Sequence, residues 1–219
     1  MERDPSIDWL VRDIRGHLRK RPKRFQLSDA GAYAHQLYEV NTTNLPSGEL
    51  ACGAGCGGCC YSHVGVEVPE AFTLLRHLKE TLSAEDFARV MERVKDTAEK
   101  VGGMDAGSRW EAQIPCAFLD LDSESCTVYE ARPLACRGYN SLDLDACNTS
   151  TETRDHSYPI PADGERMLRS NQLRDALGET AARTVGANQP VEQMELHSAL
   201  VMGQDAGDEL AWVRERKKG

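Results

Sequence analysis

The chain has 219 residues, a net charge of −9, 40% hydrophobic residues and only 6% aromatics. That length suits one large domain or a domain with extensions, and so few large core anchors make added metal or cross-links a useful supplement. The negative charge argues against general affinity for nucleic acid or an anionic membrane surface. No stretch approaches the ~20 apolar residues of a membrane span, and Met-Glu-Arg-Asp-Pro-Ser is no apolar signal core, so a cytoplasmic protein is expected.

A first helix is predicted from Pro5 to about Lys20. Ile7, Leu10, Val11, Ile14 and Leu18 recur at helical spacing, and Asp4 before Pro5 supplies a cap followed by proline. Residues 1–27 carry eight Lys/Arg against four acids, which reads as a solvated helix face and its trailing turn. A second helix is expected from Ser28 to Val40, then a turn-rich segment at Asn41–Glu49. Val64–Val68 alternates as a short strand, and Pro69–Leu82 and Ser83–Val101 read as helices. The latter has an apolar stripe of Phe87, Val90, Met91, Val94, Ala98 and Val101, with a capping signal at Ser83 and Asp86. Gly102–Ser108 reads as a loop. Gln113–Tyr129 reads as two short strands around Asp122–Ser125, a hairpin that would bring Cys116 and Cys126 together. Residues 148–164 read as a connecting loop, and helices are expected within 163–186, 190–202 and 207–216. The fold class expected is mainly α with a small irregular β hairpin, a cysteine-rich metal-binding core flanked by helices. The division expected is a helical extension at 1–49, a cysteine-cluster domain at 50–147, and a helical extension at 148–219 packing on the core.

All eight cysteines lie between Cys52 and Cys147. The first group, Cys52, Cys56, Cys59 and Cys60, forms a C-x3-C-x2-C-C loop; the second, Cys116, Cys126, Cys136 and Cys147, is spaced by about ten residues. A reducing compartment disfavours structural disulfides and leaves metal binding or redox chemistry as the usual roles for such thiols. Gly53, Gly55, Gly57 and Gly58 let the loop curl around sulfur and leave amides free to face it. Thiolates around zinc or an iron–sulfur cluster carry net negative charge that needs such donors or nearby cations, and Arg132 and Arg137 flank Cys136. Adjacent Cys59 and Cys60 are expected to point apart. The C-x3-C-x2-C subset also matches the loop of radical S-adenosylmethionine enzymes, but those set it in a β/α barrel, whereas helices follow here.

The loop together with Cys116-Ala-Phe-Leu and the run Cys126-Thr-Val-Tyr-Glu-Ala-Arg-Pro-Leu-Ala-Cys136-Arg137 resembles the zinc- or iron-chelating cysteine-cluster family (YkgJ-like, the CxxCxxCC domain). The resemblance covers roughly residues 50–147. It implies that Cys52, Cys56, Cys59, Cys60, Cys116, Cys126, Cys136 and Cys147 are metal ligands for an iron–sulfur cluster or zinc. It places Tyr129, Arg132, Pro133 and Arg137 in the recurring motif, and Tyr129, Arg132 and Arg137 become candidates for contact with the cofactor. Flagellin lysine N-methylases are similar only through the cysteine core.

Among other groups, His63 follows Cys60 closely and is a candidate substitute ligand, while His77 and His197 fall within helices at faces or core edges. Asp120, Asp122, Asp143 and Asp145 read as turn and solubility residues. The glycine stretch is no phosphate loop, because no Gly-Lys-Ser/Thr follows it. Three functional readings follow. The chain is an iron–sulfur protein supporting redox or protein and peptide modification, a zinc-stabilised module that binds a protein or peptide partner, or a methyltransferase-like enzyme.

Overall fold

The computed structural model describes residues 4–20, 26–45, 49–53, 55–187 and 192–216. Helix α1 (Pro5–Arg19) begins where expected: the Asp4 carboxylate accepts the Ser6 N–H at 2.9 Å, and Leu10, Val11, Ile14 and Leu18 are buried. Helix α2 (Leu27–Thr42) and helix α3 (Val68–Thr81) pack against each other. Gly31 permits that approach, since a Cβ there would lie 2.2 Å from Thr73 Oγ1 and 2.6 Å from the Pro69 carbonyl oxygen. Thr73 returns its hydroxyl hydrogen to the Pro69 and Ser28 carbonyls, at 2.7 and 2.9 Å.

Helix α4 (Ala84–Val101) is capped by Ser83, which accepts the Asp86 N–H at 3.1 Å, and buries Met91, Val94 and Val101. Three short helices follow. Helix α5 (Ala106–Ala112) starts inside the expected loop at 102–108, and α6 (Leu134–Gly138) starts after Pro133. Helix α7 (Leu144–Thr153) takes up the first part of the expected loop at 148–164. Each is held by a cap or by tertiary contact instead of an apolar stripe. Asp105 and Asp143 accept the Ser108 and Ala146 amides, at 2.8 and 3.0 Å. The Leu134 amide donates to the buried carboxylate of Glu70 on α3 at 2.6 Å.

Helix α8 (Gly164–Thr184) packs on α1, α2 and α6, and α9 (Leu196–Gly203) packs on α3 and α4; α10 (Glu209–Arg216) follows. The expected start of a helix at 190 lies outside the described residues. Two antiparallel pairs complete the fold. Strand β2 (Leu119–Asp120) pairs with β3 (Ser125–Cys126), placing Leu119 opposite Cys126. Strand β1 (Gly65–Val66), within the expected 64–68 strand, pairs with β4 (Met194–Glu195).

The apolar side chains form two clusters. One gathers Leu74, Leu75, Leu78, Val94, Phe118, Val128 and Leu200 around α3, α4, α9 and the hairpin. The other gathers Val11, Ile14, Ala34, Leu134, Leu173 and Leu177 from α1, α2, α6 and α8. Each fully buried leucine contributes roughly 1.5–3 kcal/mol of transfer free energy, so the cysteine-bearing loops rest on helical layers that form the bulk of the core. The architecture is mainly α with minor β pairing, as the sequence indicates. No described helix is long and apolar enough to cross a membrane.

Candidate metal centre

All eight cysteines are free thiols; Cys52 is exposed and the other seven are half-buried. The loop that carries the first four ends in a 3-10 turn at Gly58–Tyr61, with the Cys60 N–H on the Gly57 carbonyl at 2.9 Å. Gly55 has φ +82°, a conformation natural to glycine, and its amide reaches Ser125 Oγ at 3.3 Å. The Cys116 N–H donates to the Cys60 carbonyl at 2.8 Å, fastening the hairpin region to the loop. Helix α7 packs on the 3-10 turn and brings in Cys147.

In space the thiols sort differently from their order in the sequence. Cys59, Cys116, Cys126 and Cys136 form one set, in which every pair is within electrostatic reach. Cys52, with Cys56 and Cys147 beside it, forms a second set, and Cys59 lies within reach of Cys52 as well. Tyr139 stands between the sets; its phenol is pushed up to about 12 by burial first, then by the charges of Cys147, Cys59 and Cys52. The 3-10 turn also turns the neighbouring Cys59 and Cys60 toward each other. Their thiols lie close enough to interact, where an extended chain would have pointed them apart.

Burial sets the ionisation of the first set. It pushes the Cys116 thiol up to about 11 and the Cys136 and Cys126 thiols above their ordinary range. Cys59 is raised well above its ordinary value, first by the interaction with Cys60 and then by burial. A buried thiolate is costly without compensation, and the compensation present comes from amides and two cations, Arg132 and Arg109. Backbone amides of Phe118 and Val128 face Cys116 and Cys126. The Ser141 amide donates to Cys52 Sγ at 3.2 Å. The Phe118 and Val128 amides lie two residues after the cysteines they face, and only the Ser141 amide reaches its sulfur from a distant segment; none of the three belongs to the glycines that the sequence singled out.

The Arg132 guanidinium lies 4.0 Å from the centre of the Tyr129 ring, and its charge reaches Cys59, Cys126 and Cys136. Arg137 is turned elsewhere. It pairs with Glu39 and donates to the Arg132 and Glu130 carbonyls. Tyr129, Arg132 and Arg137 all line a cleft of about 570 Å³ that contains no cysteine. A second cavity, of about 200 Å³, is lined by Cys59 and Cys136 together with His63, Tyr139 and Arg174. Asp120 accepts the Asp122 and Ser123 amides at 3.0 and 2.9 Å, the turn role expected of it.

One participant has little sequence signal. His197, 2% exposed, sits at the start of α9 with Nε2 3.4 Å from Cys116 Sγ and 3.1 Å from the Ala117 amide that donates to it. Its Nδ1 lies 2.7 Å from Glu195 Oε1. Glu195-x-His197 opening an apolar helix is the only local hint, and its partner lies 81 residues earlier in the chain.

The donor set fits a thiophilic metal: free thiols in mutual reach, amides aimed at sulfur, and a cation behind them. As they stand, no three His, Cys, Asp or Glu groups among the described residues close around an ion. Residues 51–157, close to half of the chain, match the family CxxCxxCC, a zinc- or iron-chelating domain. No curated protein and no solved structure matches the chain.

Proposed function

With residues 51–157 a CxxCxxCC domain, we propose that this protein chelates iron or zinc through its cysteines, with the principal centre at Cys59, Cys116, Cys126 and Cys136. The observation that carries this is the mutual reach of those four thiols. Cys52, Cys56 and Cys147 form a companion group, and Cys59 of the principal centre lies within reach of it. Metal binding exchanges thiol protons for the metal, so affinity rises with pH. Arg132, beside Cys59, Cys126 and Cys136, offsets the resulting negative charge.

Two finer readings follow from different observations. The cavity opening on Cys59 and Cys136 supports an iron–sulfur centre that a small substrate or peptide side chain can approach, for redox or modification chemistry. The anchoring of the same thiols to the hairpin and α6 supports zinc as a structural staple. Nothing in the arrangement supports the methyltransferase reading. Anaerobic purification with metal and acid-labile sulfide analysis tests the proposal. Iron with sulfide and broad visible absorption is expected on the first reading, and colourless protein with stoichiometric zinc on the second. Protein that neither retains nor takes up either metal overturns both.

A further inference from the structure

The Glu195–His197–Cys116 array joins two stretches of chain far apart in sequence, with His197 buried and Glu195 and Cys116 half-buried. Cys116 precedes the hairpin, Glu195 belongs to β4, and His197 opens α9. The imidazole is fixed on every side. Its ring lies near parallel to Phe118 (centroids 6.3 Å apart, planes at 16°), and Nδ1 is 2.7 Å from Glu195 Oε1. The other carboxylate oxygen accepts the Ser198 amide at 3.0 Å, so the carboxylate is itself held in place. A carboxylate only accepts, so Nδ1 carries the hydrogen and Nε2 is the unprotonated nitrogen, its lone pair accepting the Ala117 N–H with Cys116 Sγ 3.4 Å away. Behind them lies Arg109, 0% exposed, whose charge reaches both Glu195 and Cys116 and whose Nε and Nη2 have no hydrogen-bond partner among the described residues.

Two features go beyond what an amide anchor requires. The first is the carboxylate. Accepting the Ala117 N–H needs only a neutral acceptor, yet this imidazole is backed by a half-buried Glu and a fully buried Arg, both costly to bring out of water. A histidine that binds metal through one nitrogen usually gives its other N–H to a carboxylate, which fixes its tautomer and raises its basicity. The second is spacing. Bonds of about 2.3 Å to sulfur and about 2.05 Å to nitrogen at a tetrahedral centre place the two donors ~3.5 Å apart. Cys116 Sγ and His197 Nε2 are 3.4 Å apart.

We propose that His197 is a nitrogen ligand to the metal that Cys116 binds, making the principal centre a mixed thiolate–imidazole site. The proposal rests on the metal-chelating reading and deepens it by adding a ligand from outside the matched stretch 51–157. Ligation exchanges the Ala117 N–H···Nε2 hydrogen bond for a metal–nitrogen bond, with Glu195 keeping the ring oriented. It also resolves the double claim on Cys59. If Cys59 completes the group of Cys52, Cys56 and Cys147, then Cys116, Cys126 and Cys136 retain a fourth donor in His197.

X-ray absorption at the edge of the metal in the full-length protein tests this directly. Imidazole scattering is expected in the wild type and absent in His197→Ala. Substitution with Co²⁺ gives a second readout, a visible spectrum that shifts in His197→Ala. Glu195→Gln should keep the nitrogen ligand and weaken Zn²⁺ binding by ~10–100-fold, the usual penalty for losing an outer partner. An all-sulfur shell in the wild type overturns the ligand assignment and leaves metal chelation standing, a result that does not depend on the variants folding. Wild-type protein that takes up no metal overturns both.

Discussion

The two thiol groups differ most in what holds them. Cys116 and Cys126 belong to the hairpin region whose Phe118 and Val128 are core residues, and Cys136 sits on a helix whose first amide is bound by Glu70. Cys52, by contrast, is exposed and meets the rest of the protein through the Ser141 amide on its sulfur and the Ala51 amide on the Ser141 carbonyl. Cys147 rides on a polar helix laid against the 3-10 turn. One group is organised by the apolar core before any metal arrives; the other is organised by a few polar contacts at the surface. Preorganised donors bind with less ordering cost, so the first group should bind metal more tightly and release it more slowly.

The strongest way to break that contrast is to remove one thiol from each group and measure metal affinity by competition with a chelator. Cys136→Ser is expected to weaken binding by more than ~100-fold, beyond the usual effect of an outer partner, and Cys52→Ser by less than ~10-fold. Equal losses would mean that the two groups act as one site.

A second measurement sharpens the account of the scaffold under the first group. Glu67, 3% exposed at the start of α3, has its carboxyl raised to about 7, by burial first and by Glu70 and Asp175 as well, against the opposing Gln193 hydrogen bond and Arg174. Folded protein therefore keeps this proton where unfolded chain, at the ordinary value of 4.5, has lost it. The stabilisation is fully present below about pH 4.5 and is lost as pH rises toward about 7, a decline on the order of 3 kcal/mol. Glu67→Gln, which keeps the shape and the Gln193 contact, should flatten that decline in urea denaturation at pH 5 and pH 7.5. A wild-type profile that does not fall over this range would refute the assignment.

The smallest effect is expected at α7. Asp143→Ala removes the cap on Ala146 and should cost about 1 kcal/mol. Amide exchange should accelerate in the first turn of α7, near Cys147, while the Cys126 and Cys136 regions keep their protection. Exchange that quickens in both regions would show that the outer group is part of the same cooperative unit.

How far the sequence speaks follows the same division. Helices with an apolar stripe and a side-chain cap, such as α1 and α4, were readable because periodicity over many residues reports burial. Helix α7, Leu-Asp-Ala-Cys-Asn-Thr-Ser-Thr-Glu-Thr, was not. Its threonines and asparagine are modest helix formers, and its stability comes from Asp143 and from the turn beneath it. The cysteines were legible as a set, through their number and spacing. Their sorting in space was not, because Cys59 joins residues more than fifty positions away and Cys147 joins the loop near Cys52. His197 left least trace, since neither its burial beside Cys116 nor its carboxylate backing is local to the sequence around the thiols.

The pairing of β1 with β4 carries a consequence for synthesis. Val66, just past the cysteine loop, finds its strand partner in Met194, and the Val64 carbonyl accepts the Leu196 amide at 2.8 Å. A nascent chain on the ribosome exposes every one of its thiols well before β4 and α9 leave the exit tunnel. Closing such distant contacts is slow compared with forming helices. The β1–β4 pair and the contact between His197 and Cys116 can therefore close only after residues 194–197 have been made.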